Sequence, residues 1–161
     1  MNKETISLEM EVYESIEDLE EKDARLLRAA RSETKNAYAP YSQFRVGAAA
    51  LLTNGELVKG TNQENASFPA GICAERVLLS TASSLFPGMA IESLAISYDN
   101  INGNSDKPIS PCGICRQSIY EFQSRTKHPI RIIMGGQEGK IFVLENAASL
   151  LPMVFGAEDM Q

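Results

Sequence analysis

From the amino terminus, apolar and polar positions alternate through Ile6, Leu8, Met10 and Val12, a period of two that marks a half-buried strand. This predicts an added edge strand within a leading extension, residues 1–18. From Leu19 the period changes. Leu26, Leu27, Ala30 and Ala37 recur at helical spacing, Glu20, Glu21 and Asp23 place negative charge at the helix start, and Pro40 stops it. Those acidic positions read as a solvated helix face. Arg45 to Thr53 then reads as a buried strand, Asn54-Gly55 as a hairpin turn, and Glu56 to Asn62 as the partner strand.

Cys73 to Leu85, entered through Pro69-Ala70-Gly71, sets Val77, Leu78 and Ala82 on one side and is expected to form a second helix. A strand over Ser93 to Ser97 follows, then a loop rich in Asn, Gly and Pro from Asp99 to Ser110. Cys112 to Thr126, opened by Pro111, is the third helix, with Ile119, Tyr120 and Phe122 for apolar contacts. Ile130 to Met134 and Lys140 to Leu144 flank Gly135-Gly136 as the last strands. This order predicts an α/β fold: a three-layer α/β/α sandwich whose mixed sheet of about five strands is covered on both faces, plus the N-terminal strand. Residues 19–161 are expected to be one catalytic domain, without repeats or linkers.

With 161 residues the chain is the size of one domain, able to bury roughly 70% of its unfolded surface. A net charge of −6 gives no footprint for a phosphate backbone, so no nucleic-acid polymer is expected as partner and a small molecule fits better. No apolar run approaches the roughly 18 residues of a membrane span, and Met1 to Glu9 is too polar for a signal peptide. A cytoplasmic protein without membrane contact is expected. There, an odd set of three cysteines argues for metal or catalytic use over disulfides.

The cysteines fall as Cys73-Ala74-Glu75 and Pro111-Cys112-Gly113-Ile114-Cys115. Three soft ligands with one carboxylate as proton carrier are the inventory of an open zinc site, one ion per chain. All three thiols sit at predicted helix starts, where unpaired N–H groups and the helix dipole favour thiolate. Cys112 and Cys115 alone would read equally as a redox dithiol; Cys73 and Glu75 shift that balance. A closed structural zinc would need a fourth ligand, and the only histidine, His128, lies about 20 Å along the third helix at 1.5 Å per residue. His128 reads instead as a surface or capping residue. Asn62 and Glu64, two apart at the end of an extended segment, face one side and could grip a vicinal diol, or simply end a strand in polar side chains. Ala74, small and with a free N–H, could let a base carbonyl approach.

Four stretches resemble the zinc-dependent cytidine deaminases of the small oligomeric kind: Ala39 to Ala49, Asn62 to Phe68, Gly71 to Arg76 and Ser110 to Gln117. Leu150-Leu151-Pro152 with Phe155-Gly156 looks like that family's C-terminal signature, so the resemblance covers Leu19 to Met160. It implies hydrolytic deamination of cytidine and deoxycytidine in pyrimidine salvage, with zinc on Cys73, Cys112 and Cys115 activating water and Glu75 serving as acid and base by turns. It further implies that Asn62 and Glu64 hold the ribose hydroxyls and that Phe44 packs on the pyrimidine. Phe155 would enter a neighbouring subunit's pocket, implying a homotetramer with active sites at subunit interfaces. Three thiolates outweigh the ion's two charges, so an offset is needed; Arg76 is expected to bond the ligand sulfurs, as the resemblance also implies. Arg116 could instead be an ordinary exposed charge, and no role is assigned to it. Phe68 departs from the family, where tyrosine is frequent. Alternatives are a deaminase of another nucleoside-like substrate such as blasticidin S, a nucleotide or polynucleotide deaminase, and a non-catalytic zinc-stabilised binding module.

Overall fold

A computed structural model describes residues 1–161. Six strands form one sheet: β1 (Glu11–Tyr13), β2 (Phe44–Leu52), β3 (Leu57–Thr61), β4 (Ile91–Asn100), β5 (Arg131–Gly135) and β6 (Ile141–Leu144). Their spatial order is β1-β6-β5-β4-β2-β3, with β4 and β5 parallel and every other pair antiparallel. Three helices, α1 (Glu21–Glu33), α2 (Ala74–Leu85) and α3 (Gly113–Thr126), cover it. The mixed sheet and its added edge strand agree with the sequence expectation.

The central strands lack alternation because both faces are buried. Ala48, Ala50, Leu94, Ile96 and Ile132 enter a core of 19 residues with Leu78 of α2 and Ile119 and Phe122 of α3. Ala49, Ala95 and Ile133 point the other way, into a core of 11 residues with Leu26, Leu27 and Ala30 of α1. Two glycines set how closely the helices ride. A Cβ on Gly47 would strike the Ala30 carbonyl of α1, and one on Gly60 would lie 2.5 Å from both the Ala74 carbonyl oxygen and the Leu78 nitrogen of α2. The first turn of α2 therefore rests directly on the β3 backbone.

Three expectations change. The N-terminal alternation forms a strand only over Glu11–Tyr13, because β6 is four residues long and supplies partners only from Ile141 to Val143. Ile6, Leu8 and Met10 are exposed in an unpaired segment, whereas Ile16 and Leu19 are buried under α1. Ala37 lies outside the first helix, which ends at Glu33 and tightens into a 3-10 turn over Thr34–Asn36. Strand β4 is ten residues long, with Asp99 and Asn100 paired to Arg45 and Phe44 where a loop was expected.

Arg131, at the start of β5, ties the edge together. Its Nε donates to Asp23 of α1 (2.9 Å), Nη2 to Glu11 of β1 (3.1 Å), and Nη1 bonds Glu145 beyond β6. Asp23 is buried, so this guanidinium is the counter-charge that lets it remain there.

Candidate active site

Cys73 is the N-cap of α2 and Cys112 the N-cap of α3, both with extended backbone and neither using its sulfur as a cap. Cys115 follows in the first turn of α3, fully buried. The three Sγ atoms lie within 4.8 Å of one another, with Cys73 to Cys112 at 3.8 Å and Cys112 to Cys115 at 3.5 Å. Zn–S bonds of about 2.3 Å at tetrahedral angles require sulfurs about 3.8 Å apart, so the donor set fits zinc in identity and spacing. No histidine or carboxylate joins these three in the cluster. His128 is half-buried just beyond the far end of α3, with Nδ1 2.9 Å from the Pro129 carbonyl oxygen.

Hydrogen bonds from the Cys115 thiol, aided by Cys112 and by the positive charge of Arg76, pull the Cys73 thiol down to about 5 against the opposing effect of burial. Cys115, donating that bond from a buried position beside Glu75, is driven upward. Of these two thiols, Cys73 is the one whose surroundings favour ionisation. Glu75, in the first turn of α2, is 5% exposed. Burial raises its carboxyl above the ordinary range, the Cys73 charge adds to the rise, and its own backbone N–H partly opposes it. A buried carboxyl that holds its proton more tightly is suited to passing protons. Arg76 reaches the Gly71 carbonyl at 3.5 Å, while its Nε is buried without a hydrogen-bond partner.

A cleft of about 530 Å³ opens beside Cys73, lined among others by Tyr41, Ser42, Asn62, Glu64 and Phe68. Gln63 and Ile72 exchange backbone bonds, which lays the segment of Asn62 and Glu64 against the approach to Cys73. Asn62 Oδ1 accepts from the Val46 N–H (2.7 Å) and its Nδ2 donates to the Phe44 carbonyl (2.9 Å). Glu64 Oε2 accepts from the Tyr41 and Ser42 amides at 2.8 and 3.3 Å. The Ser42 hydroxyl, helped by these amides, holds the Glu64 carboxyl below its ordinary value against the opposing effect of desolvation.

The cysteines and Glu75 therefore meet at one place, and Asn62 and Glu64 share a cleft with Cys73. Ala74 is buried, its backbone seated on Gly60. Phe44 stacks on Tyr98 with ring centres 4.8 Å apart and does not line the cleft. Phe155 is 59% exposed beside α3, its carbonyl accepting from Gln117 Nε2. Arg116 is not an ordinary surface charge: it is half-buried, and all three of its nitrogens donate to protein acceptors. Those acceptors come from residues 110, 111 and 150, a convergence no local pattern announces.

Residues 20–128 match the family model described as the cytidine and deoxycytidylate deaminase zinc-binding region. A cytidine deaminase of Halalkalibacterium halodurans is 36% identical over 136 residues, covering 84% of this chain and 95% of that protein. One from Mycobacterium tuberculosis is 33% identical over 142 residues, covering 86% and 93%. The crystal structure of cytidine deaminase from Burkholderia pseudomallei superposes with a TM-score of 0.70 at 35% identity, covering 81% of this chain and 97% of that one.

Proposed function

The chain belongs to the zinc-binding cytidine and deoxycytidylate deaminase family, and on that premise we propose that it is a zinc-dependent hydrolase releasing ammonia from cytidine and deoxycytidine. The observation that carries the reading is the meeting of three cysteine sulfurs at two helix N-termini with buried Glu75 in the first turn of one of them. Cys73, Cys112 and Cys115 hold the ion. Zinc bound there supplies a Lewis acid that lowers the pKa of water, so that hydroxide is available near neutral pH.

Glu75 moves the protons. As water adds across the C4–N3 bond of the pyrimidine, the carboxylate takes a proton from the water oxygen and delivers it to N3. It then carries the second proton from that oxygen to the exocyclic amine; the C4–N bond breaks, ammonia departs, and C4 keeps the oxygen as the uridine carbonyl. Glu64 and the remaining hydrogen-bonding capacity of Asn62 hold the sugar hydroxyls in the cleft. The Ala74 N–H orients the base and Arg76 offsets the charge of the sulfurs, while Phe44, stacked on Tyr98 outside the cleft, backs the β2 end of the site.

The catalytic unit spans residues 19–161, with residues 1–18 an addition at the sheet edge. Phe155, Ile114 and Phe68 are large apolar side chains exposed around the site, which supports a homotetramer whose subunits complete one another's pockets. Three free cysteines suit a reducing, cytoplasmic compartment, and returning cytidine to uridine would be a step of pyrimidine salvage. Loss of ultraviolet absorbance on mixing with cytidine tests the reading. Glu75→Gln is expected to retain zinc while turnover falls at least a hundredfold. Zinc-loaded protein that turns over blasticidin S but not cytidine would overturn the substrate; zinc-loaded protein inert to both would leave a binding module.

A further inference from the structure

The first two turns of α3 make a set of contacts that the reaction does not use. Arg116 donates from Nε to the Pro111 carbonyl (2.8 Å), from Nη2 to Ser110 Oγ (2.9 Å) and from Nη1 to the Leu150 carbonyl (3.2 Å). Its neighbour Gln117 donates to the Phe155 carbonyl at 2.8 Å, and one turn on Tyr120 donates its hydroxyl to Glu158 at 2.8 Å. The C-terminal segment is thus strapped along α3, with Arg116 at the end nearest the sulfurs. Only a guanidinium offers several donors in a fixed fork, and here it fastens two separate stretches of chain to each other.

The two ends of the CxxC pair are held differently. Cys115 is fixed by complete burial within a helix, whereas Cys112 is exposed, sits outside the helix and lends its sulfur to no cap. Its position follows from the backbone just before it. Two of the three Arg116 bonds fall on the two residues just before it, at the Pro111 carbonyl and the Ser110 hydroxyl.

We propose that Arg116 is a positioning residue for the metal centre, locking Ser110 and Pro111, and through them Cys112, against the C-terminal segment. Retention of the ion then depends on a contact 34 residues away in sequence. The inference rests on the assignment of the three cysteines as zinc ligands and extends it to a residue that touches neither sulfur nor substrate.

The rate at which zinc passes from the loaded, full-length protein to a chromophoric chelator, well below the unfolding temperature, tests this. Arg116→Met and Arg116→Lys should both release zinc about tenfold faster, the usual size of an outer-shell effect, since one ammonium cannot span three acceptors. Ser110→Ala, which removes one bond of the three, should release it about threefold faster. Tyr120→Phe frees the same segment at its far end and should keep the wild-type rate. An Arg116→Met rate equal to wild type overturns the proposal. So does a Tyr120→Phe rate as fast as Arg116→Met, because the segment would then act only through general stability. If Arg116→Met fails to fold, Ser110→Ala decides alone, and an unchanged rate there overturns the idea. Wild-type protein that cannot be loaded with zinc defeats the ligand assignment itself, a result separable from all of these.

Discussion

Gln63 and Ile72 exchange both of their backbone hydrogen bonds, N to O at 2.9 and 3.0 Å, so that Asn62 and Glu64 flank one end of the pair and Cys73 adjoins the other. The separation between the Asn62–Glu64 segment and Cys73 is thereby set by backbone bonds. Side-chain substitutions in the cleft are therefore expected to change affinity without shifting the reacting centre.

Glu64→Gln follows from this. Its carboxylate accepts two amides from the Tyr41–Ser42 loop, and the amide variant keeps an acceptor there while losing the charge that a sugar hydroxyl would meet. KM for cytidine should rise about tenfold or more with kcat reduced less, as for loss of one charge-assisted hydrogen bond. Steady-state kinetics with an unchanged KM would remove Glu64 from the binding site.

The same carboxyl predicts a pH effect. Its folded pKa is depressed below the ordinary 4.5, with the Ser42 hydroxyl bond as the leading cause. The tether is therefore fully formed above that value and is lost as pH falls through the lower, folded value. Thermal melts of the wild type between about pH 5 and pH 3 should fall more steeply than those of Glu64→Gln. Parallel curves would show that the Tyr41–Ser42 loop does not depend on the charge.

Gly60→Ala places a methyl group against the Ala74 carbonyl and the Leu78 nitrogen, both backbone atoms that cannot rotate away. Lifting α2 off β3 should cost about 2 kcal/mol of stability. Zinc content per chain should fall with it, because Cys73 caps the displaced turn. Denaturant melts and metal analysis at full occupancy and wild-type stability would refute this.

Arg131→Met should cost on the order of 3 kcal/mol, because Asp23 is then left buried without its cation. Adding Asp23→Leu should recover much of that loss. A double variant no more stable than the single one would place the cost elsewhere, in the Glu11 and Glu145 contacts.

Truncation separates the two halves of the extension. Removing residues 1–10 should change stability by less than about 0.5 kcal/mol, since Ile6, Leu8 and Met10 are exposed. Removing residues 1–19 strips β1 together with buried Ile16 and Leu19 and should cost about 3 kcal/mol or more. Equal melting points for both truncations would show that this edge contributes nothing.

Most of the fold was legible because the central strands and helices announce themselves locally. Arg45 to Thr53 differs from β2 by one residue at each end, and the helix starts coincide with Cys73 and Cys112 as caps. The clustering of Cys73, Cys112 and Cys115 was legible because three soft donors with a neighbouring carboxylate suit one shared site. What escaped was set at a distance. The last residues of β4 look like a loop, yet Asn100 is held as strand by Phe44 across the sheet. At Arg131, three carboxylates from residues 11, 23 and 145 converge, and at Arg116, acceptors from residues 110, 111 and 150; single positions in the sequence carry no mark of either. The alternation through Ile6 was real, but too few partner residues existed for it to become strand.

The amide of Asn62 completes the β2 edge, supplying one acceptor and one donor where a neighbouring strand would have done so. Aspartate would set a second acceptor against the Phe44 carbonyl, and shorter or apolar residues would leave both main-chain groups unpaired. The scaffold thus demands asparagine before any ligand arrives. Finding that residue at the matching place in some distant cousin would say little about whether the cousin handles sugars, since architecture alone preserves it. Discrimination among nucleosides is better sought at neighbouring positions that carry no such structural duty.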